Sequence, residues 1–208
     1  AVMNAMQQLA GAIVLATGVV PRTPPMTFTD GVVNRSPGPG YVLRREDFHL
    51  CDGIVEALAF IKLQGFALIL ITSQQGVGKG LMTQAELDAI HGSMQRDLAA
   101  HDAAFDAIYE CTHLDGTCTC RKPSPEMIIR AAGEHRLDLS KSWLVGDHDR
   151  DIRMAHNAGV PRTIRILGDK PETTRADFVL DDVRALLPLL REQLTSRTPV
   201  PPSPAAGS

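Results

Sequence analysis

The chain has no surplus of positive charge. Its 21 Lys and Arg are outnumbered by 24 Asp and Glu, for a formal net charge of -3, which excludes the broad basic footprint of a nucleic-acid binder. An anionic substrate must therefore be met by local groups. Long apolar runs are also missing. The one candidate, AGAIVLATGVV at residues 10–20, is well short of the ~20 residues that a membrane span requires. No Lys or Arg precedes Arg22, so the run lacks the basic flank of a secretory signal, and the expected location is cytoplasmic, with no membrane partner. Internal repeats are absent as well. Cysteine is scarce, at 4 residues, and three of these fall together at Cys111, Cys118 and Cys120 with His113 among them. That clustering speaks for metal in a reducing compartment over an extracellular disulfide framework.

What is present is an ordinary globular composition, 44% hydrophobic and 22% charged over 208 residues, enough for one domain with a full core. Strand and helix signals alternate after residue 50. GIVEALAFIKLQ (53–64) has helical spacing, and FALILIT (66–72) is a continuous apolar run suited to a strand buried on both faces. Thr83 followed by Glu86 is a capping-box start for the next helix. AIYEC (107–111) predicts a strand, SPEMIIRAAGEHR (124–136) a helix with Pro125 in its first turn, and SWLVGD (142–147) another strand. DIRMAHNAG makes a short helix stopped by Gly159, PRTIRI a strand, and DFVL with DDVRALLPLLREQL closes the pattern.

This order predicts an α/β domain, a Rossmann-like three-layer sandwich around a mainly parallel sheet, because parallel neighbours need crossover connections. The expected domain covers residues 26–194, between an N-terminal segment (1–25) of no evident role and a disordered Pro/Ser-rich tail (195–208). Ligands of such sheets bind at the carboxyl ends of the strands. Those ends carry Asp30 after MTFT, Thr72 and Ser73 after the second strand, and Asp147 after the one ending in Gly146.

Asp147 and Asp151, in VGDHDRD, are spaced by about one helical turn, so both carboxylates can face one opening and suit Mg²⁺. The alternative is that Asp147 caps the following helix and Asp151 is solvated. Arg121 and Lys122 supply cations ahead of a helix, while Thr72, Ser73 and Gln74 supply donors at a strand end; together they would cradle a phosphoryl group. GVGKG (76–80) is not a P-loop, since Ser73 stands where that motif needs Gly and Gly80 follows its Lys. Cys111, His113, Cys118 and Cys120 offer three thiolates and one imidazole, a closed tetrahedral Zn²⁺ set with a structural role. Chance clustering of reduced cysteines is the competing account.

DGVVN, GYV, ITSQQG, CTH...CTCRKPSPEM and LVGDHDRD, taken in this order, resemble the zinc-containing sugar-bisphosphate and histidinol-phosphate phosphatases of the haloacid dehalogenase superfamily. The likeness is nearest to the D-glycero-D-manno-heptose 1,7-bisphosphate 7-phosphatases and covers roughly residues 26–168. The resemblance implies a haloacid dehalogenase-like fold with a zinc-binding loop and no large cap domain, dependence on Mg²⁺, and an aspartyl-phosphate intermediate. It implies that Asp30 is the general acid/base and lends its backbone carbonyl to Mg²⁺, with Asp147 as a further Mg²⁺ ligand. It also implies that Thr72, Ser73, Arg121 and Lys122 hold the substrate, and that Cys111, His113, Cys118 and Cys120 ligate zinc.

One departure is severe. The family reads Asp-x-Asp-Gly at the first strand, and this chain reads Phe28-Thr29-Asp30-Gly31. A phenyl ring neither attacks phosphorus nor binds Mg²⁺. The expectation is a phosphomonoester hydrolase for a small phosphorylated sugar, with activity impaired and its catalytic Mg²⁺ weakened or lost. The alternative is a non-catalytic pseudophosphatase that binds a sugar phosphate or a protein partner.

Overall fold

The computed structural model describes residues 23–35, 40–168 and 173–195. The N-terminal segment up to residue 22, with its apolar run, and the tail from residue 196 lie outside the described residues. Among the described residues, no helix is long and apolar enough to cross a membrane.

Six strands form one parallel sheet: β1 (Pro25–Thr29), β2 (Ala67–Ser73), β3 (Ala107–Cys111), β4 (Trp143–Gly146), β5 (Arg162–Ile166) and β6 (Phe178–Leu180). Their spatial order is β3-β2-β1-β4-β5-β6. The connections carry helices α1 (Asp30–Val33), α2 (Ile54–Leu63), α3 (Gln75–Gly78), α4 (Gln84–Ala99), α5 (Glu126–Glu134), α6 (Asp149–Asn157) and α7 (Leu186–Thr195). This is the three-layer, Rossmann-like α/β architecture the alternation predicts. No separate cap domain occurs among the described residues.

The period-2 alternation of each strand sorts the core into two layers. Met26, Phe28, Leu68, Leu70, Trp143 and Val145 pack on one face with residues of α2 and α7. Ile69, Ile71 and Leu144 pack on the other with α5 and α6. Because both faces are covered, β4 and the body of β2 are apolar at successive positions, whereas β1 alternates Met26 and Phe28 with the buried hydroxyls of Thr27 and Thr29.

Local signals decide most of the ends. Thr83 and Glu86 form the capping box of α4, and Gly159, at a φ of 72°, ends the turn after α6, where a side chain would be strained. Two boundaries differ from expectation. Pro125 is the residue before α5 rather than within its first turn. DDVRALLPLLREQL does not start as one helix: Asp182 accepts from the Arg184 N–H at 2.8 Å, which holds a 3-10 turn at Val183–Ala185, and α7 begins at Leu186 with Pro188 in its first turn.

The strand order reverses between β1 and β4, whose Phe28 and Val145 are register partners. Sheets of this kind bind ligands in the crevice at such a reversal. Asp30 and Asp147 follow directly from these two strands.

Candidate active site and metal centre

A cavity of about 220 Å³ opens at the carboxyl ends of β1, β2 and β4. Its polar floor holds Thr72, Ser73, Gln74 and Asp147, and Gly31 lies beside them. Gly31 is required by space: a Cβ there would lie 2.2 Å from Asp147 Oδ2. Asp30 opens α1 directly beyond β1, and its side chain lies outside the described part of the structure. The Gln74 amide donates to Thr72 Oγ1 at 2.7 Å. Ser73 Oγ is buried without a hydrogen-bond partner among the described residues, a costly arrangement in a finished core and an ordinary one for a group awaiting a ligand.

Phe28 does not face this cavity. It is wholly buried, its ring meeting Phe105 edge-on with centroids 6.1 Å apart. Thr29 points the other way, as strand alternation requires. Its hydroxyl makes long hydrogen bonds to Asp147 Oδ1 at 3.4 Å and Asp151 Oδ2 at 3.3 Å. The β1 side chain that reaches the two carboxylates is therefore an uncharged threonine.

Asp147 and Asp151 do not share the opening. Asp147 lines the cavity, whereas Asp151 is buried and paired with Lys122 Nζ at 2.9 Å. Nor does either alternative for them hold. His148 rather than Asp147 caps α6, in a reciprocal capping box with Asp151, and Asp151 is far from solvated. Burial alone would raise its carboxyl, but the Lys122 charge and hydrogen bonds, with Arg150 and the His148 N–H, more than offset this and hold it below the ordinary aspartate value.

The two expected cations are likewise outside the cavity lining. Lys122 is committed to Asp151. Arg121 leans to Asp115, Nε to Oδ1 at 3.4 Å, while its Nη1 is buried without a hydrogen-bond partner among the described residues. Two lining residues, Arg150 and His91, went unforeseen, as did the apolar face of α4. His91 is joined to Glu110, Nδ1 to Oε2 at 3.2 Å.

The metal cluster is assembled as its spacing predicts. Ligand atoms of Cys111, His113, Cys118 and Cys120 lie within 4.8 Å of one another. Cys111 Sγ is 3.6 Å from Cys118 Sγ, Cys118 Sγ is 3.5 Å from Cys120 Sγ, and His113 Nδ1 is 3.8 Å from Cys111 Sγ and 3.5 Å from Cys120 Sγ. A tetrahedral ion with Zn–S near ~2.3 Å separates its sulfur ligands by about 3.8 Å, so the set fits Zn²⁺. No carboxylate or open position belongs to the set, which suits a structural ion. Cys120 directly precedes Arg121 and Cys118 lies two residues before Cys120, so the cluster fixes the start of the Arg121–Lys122 segment.

Comparison with known proteins agrees with this geometry. A HAD-hydrolase-like family model matches residues 119–186. D-glycero-beta-D-manno-heptose-1,7-bisphosphate 7-phosphatase of Yersinia pestis is 34% identical over 169 residues, covering 76% of this chain and 89% of that protein. The corresponding phosphatase of Escherichia coli K12 is 32% identical over 176 residues, covering 79% and 91%. The crystal structure of D,D-heptose 1,7-bisphosphate phosphatase from B. bronchiseptica, complexed with magnesium and phosphate, superposes with a TM-score of 0.70 at 31% identity, covering 82% of this chain and 98% of that one. With its parallel sheet, its carboxyl-end cavity and its Cys/His cluster, the chain belongs to the heptose-bisphosphate phosphatase family of haloacid dehalogenase-like hydrolases.

Proposed function

We propose that this protein is a Mg²⁺-dependent phosphomonoester hydrolase by descent. It takes a small sugar bisphosphate such as D-glycero-D-manno-heptose 1,7-bisphosphate, and its turnover is impaired because Phe28 stands at the attacking aspartate's position. The observation that carries the reading is the buried, unpartnered Ser73 hydroxyl beside Thr72 and Asp147 in a cavity at the strand reversal.

Asp147, the Asp30 backbone carbonyl and solvent would hold Mg²⁺, which takes few carboxylates and keeps several waters. When bound, the ion neutralises charge on the phosphoryl oxygens. Thr72, Ser73 and Gln74 orient the phosphoryl group, and Arg121 and Lys122 brace that corner from behind. Asp30 moves the proton of the leaving alcohol and then of water. Loss of a covalent nucleophile costs several orders of magnitude in rate. The catalytic domain is residues 26–194, with a cytoplasmic location.

The test is phosphate release from heptose 1,7-bisphosphate with Mg²⁺, comparing the chain with Phe28→Asp and Thr29→Asp. Slow release by the parent and a gain of a hundredfold or more in Phe28→Asp is the expected result. A gain in Thr29→Asp alone would place the attacking position at 29, in line with the direction its side chain takes. Fast turnover by the parent would sink the impairment.

A second reading is a pseudophosphatase that retains sugar-phosphate binding or meets a protein partner. The burial of Phe28 against Phe105 favours it, since a core aromatic is a settled replacement for a carboxylate. Bisphosphate binding with no turnover in any variant would decide for it.

A further inference from the structure

A sugar bisphosphate has two anionic ends, and the phosphoryl end at Thr72, Ser73 and Asp147 accounts for one. The inference that follows rests on the phosphatase reading and concerns the other. Lys122 is spent on Asp151, and Arg121 leans away toward Asp115. Among the described lining residues, Arg150 is the one permanent cation. Its Nε is buried and has no hydrogen-bond partner among the described residues, so a guanidinium edge is held out of water with its donor unused, a state that a bound oxyanion relieves.

His91 lines the same cavity from α4. Its Nδ1 is engaged by Glu110 Oε2 at 3.2 Å, and Gln84 Nε2 donates to the other Glu110 oxygen at 2.5 Å. The His91 and Gln84 hydrogen bonds hold the Glu110 carboxyl below its ordinary range, with burial opposing them, so Glu110 is a carboxylate and orients the ring by accepting from Nδ1–H. Nε2 is left without a partner among the described residues. Much of the remaining wall, Val42, Phe48, Leu87, Ile90 and Met94, is apolar, and its polar members are uncharged and already engaged: Asn34 Nδ2 donates to the Arg35 carbonyl at 3.2 Å, and the Tyr41 hydroxyl accepts from Lys79 Nζ at 2.9 Å. The second anion therefore has two groups to meet.

We propose that Arg150 and His91 bind the phosphoryl group of the sugar bisphosphate that is not transferred, with Glu110 as the positioning residue for His91. This assigns selection of bisphosphates over monophosphates to the cavity wall rather than to the Arg121–Lys122 segment.

The experiment is calorimetric titration of the full chain, with Mg²⁺ present, by heptose 1,7-bisphosphate and separately by inorganic phosphate. The parent should bind the bisphosphate more tightly. Arg150→Ala and His91→Ala should each weaken bisphosphate binding about tenfold or more, the scale of one lost charge-assisted contact, and leave inorganic phosphate within about twofold. Arg150→Lys should recover part of the loss. Glu110→Gln should weaken the bisphosphate alone, with an unchanged melting temperature, which a purely structural role would not produce. Bisphosphate affinity unchanged in both alanine variants overturns the inference and leaves the phosphatase reading intact. A parent that binds neither ligand overturns both.

Discussion

Lys122 Nζ lies 2.9 Å from Asp151 Oδ1, and each side chain is only 1% exposed. The pair joins three segments that are distant in sequence. Asp151 also accepts from Thr29 Oγ1 on β1 at 3.3 Å and from the His148 N–H at the start of α6 at 3.1 Å. The segment carrying Arg121 and Lys122 is thereby pinned to the strand reversal, and it connects the metal cluster with the cavity floor.

Breaking one half of this pair leaves the other charge buried without compensation, which typically costs 3–5 kcal/mol. Lys122→Met should therefore destabilise the chain by roughly that amount, measured as a shift in the urea midpoint. Lys122→Met combined with Asp151→Leu should recover most of the loss, because an apolar pair of similar size removes the unpaired charge rather than exposing it. A double variant no more stable than the single one would show that the pair holds its segments by geometry and not by charge alone.

The same pair sets an acid limit. Asp151 is held below the ordinary aspartate value in the folded chain. A depressed carboxyl contributes its stability in full above the unfolded pKa of about 4 and loses it as the pH falls through the folded value. The parent should thus lose stability progressively below about pH 4, and the Lys122→Met, Asp151→Leu double variant should lose less over that window. Melting temperatures from pH 6 down to pH 2.5 would check this; parallel curves would discard it.

Gly31 is where the backbone makes room for Asp147. Since an added Cβ would lie 2.2 Å from Asp147 Oδ2, Gly31→Ala has to displace the carboxylate or the start of α1. Mg²⁺ affinity should fall about tenfold or more, as for other disturbances just outside a metal's ligands, while the fold is kept. Titration with Mg²⁺ followed by calorimetry reads this directly. An affinity equal to the parent's would mean that Asp147 does not hold the ion.

How far the site could be read from sequence depends on how local each feature is. Cys111 to Cys120 lie within one short loop, so their spacing predicts a cluster that the fold then closes. FALILIT is legible because a strand covered on both faces must be apolar at every position. Thr83 and Glu86 are legible because a capping box is completed inside one turn. The His91–Glu110 contact, by contrast, arises between a helix and a neighbouring strand with no short motif to mark it. Arg150 reads only as part of a charged run until α6 is seen to present it to the cavity. Asp151 was expected beside Asp147, and helical spacing did put the two about one turn apart. What spacing omits is a competitor: the long Lys122 side chain reaches in from a segment far away in the chain and takes one carboxylate out of the opening.

The metal cluster gives a test of stability that is independent of turnover. Three thiols in contact repel one another once ionised: burial with the neighbouring thiols pushes Cys120 up to about 12, whereas at Cys118 burial is outweighed by hydrogen bonds with Cys120 and Cys111, which hold it below the ordinary thiol value. A dipositive ion offsets the repulsion by binding the thiolates, and its binding free energy becomes part of the folding free energy. The purified, reduced chain should carry one zinc ion, and Co²⁺ in its place should give the intense visible bands of tetrahedral thiolate coordination. Cys118→Ser, or extraction by a chelator, should lower the melting temperature by about 5 °C or more, given the few degrees that each kcal/mol moves a domain of this size. Because Cys120 directly precedes Arg121, the same treatment should weaken inorganic phosphate binding even where far-UV circular dichroism still reports the sheet. Reduced chain that takes up neither Zn²⁺ nor Co²⁺ would mean that the four residues are ordinary thiols and a histidine packed at the end of β3.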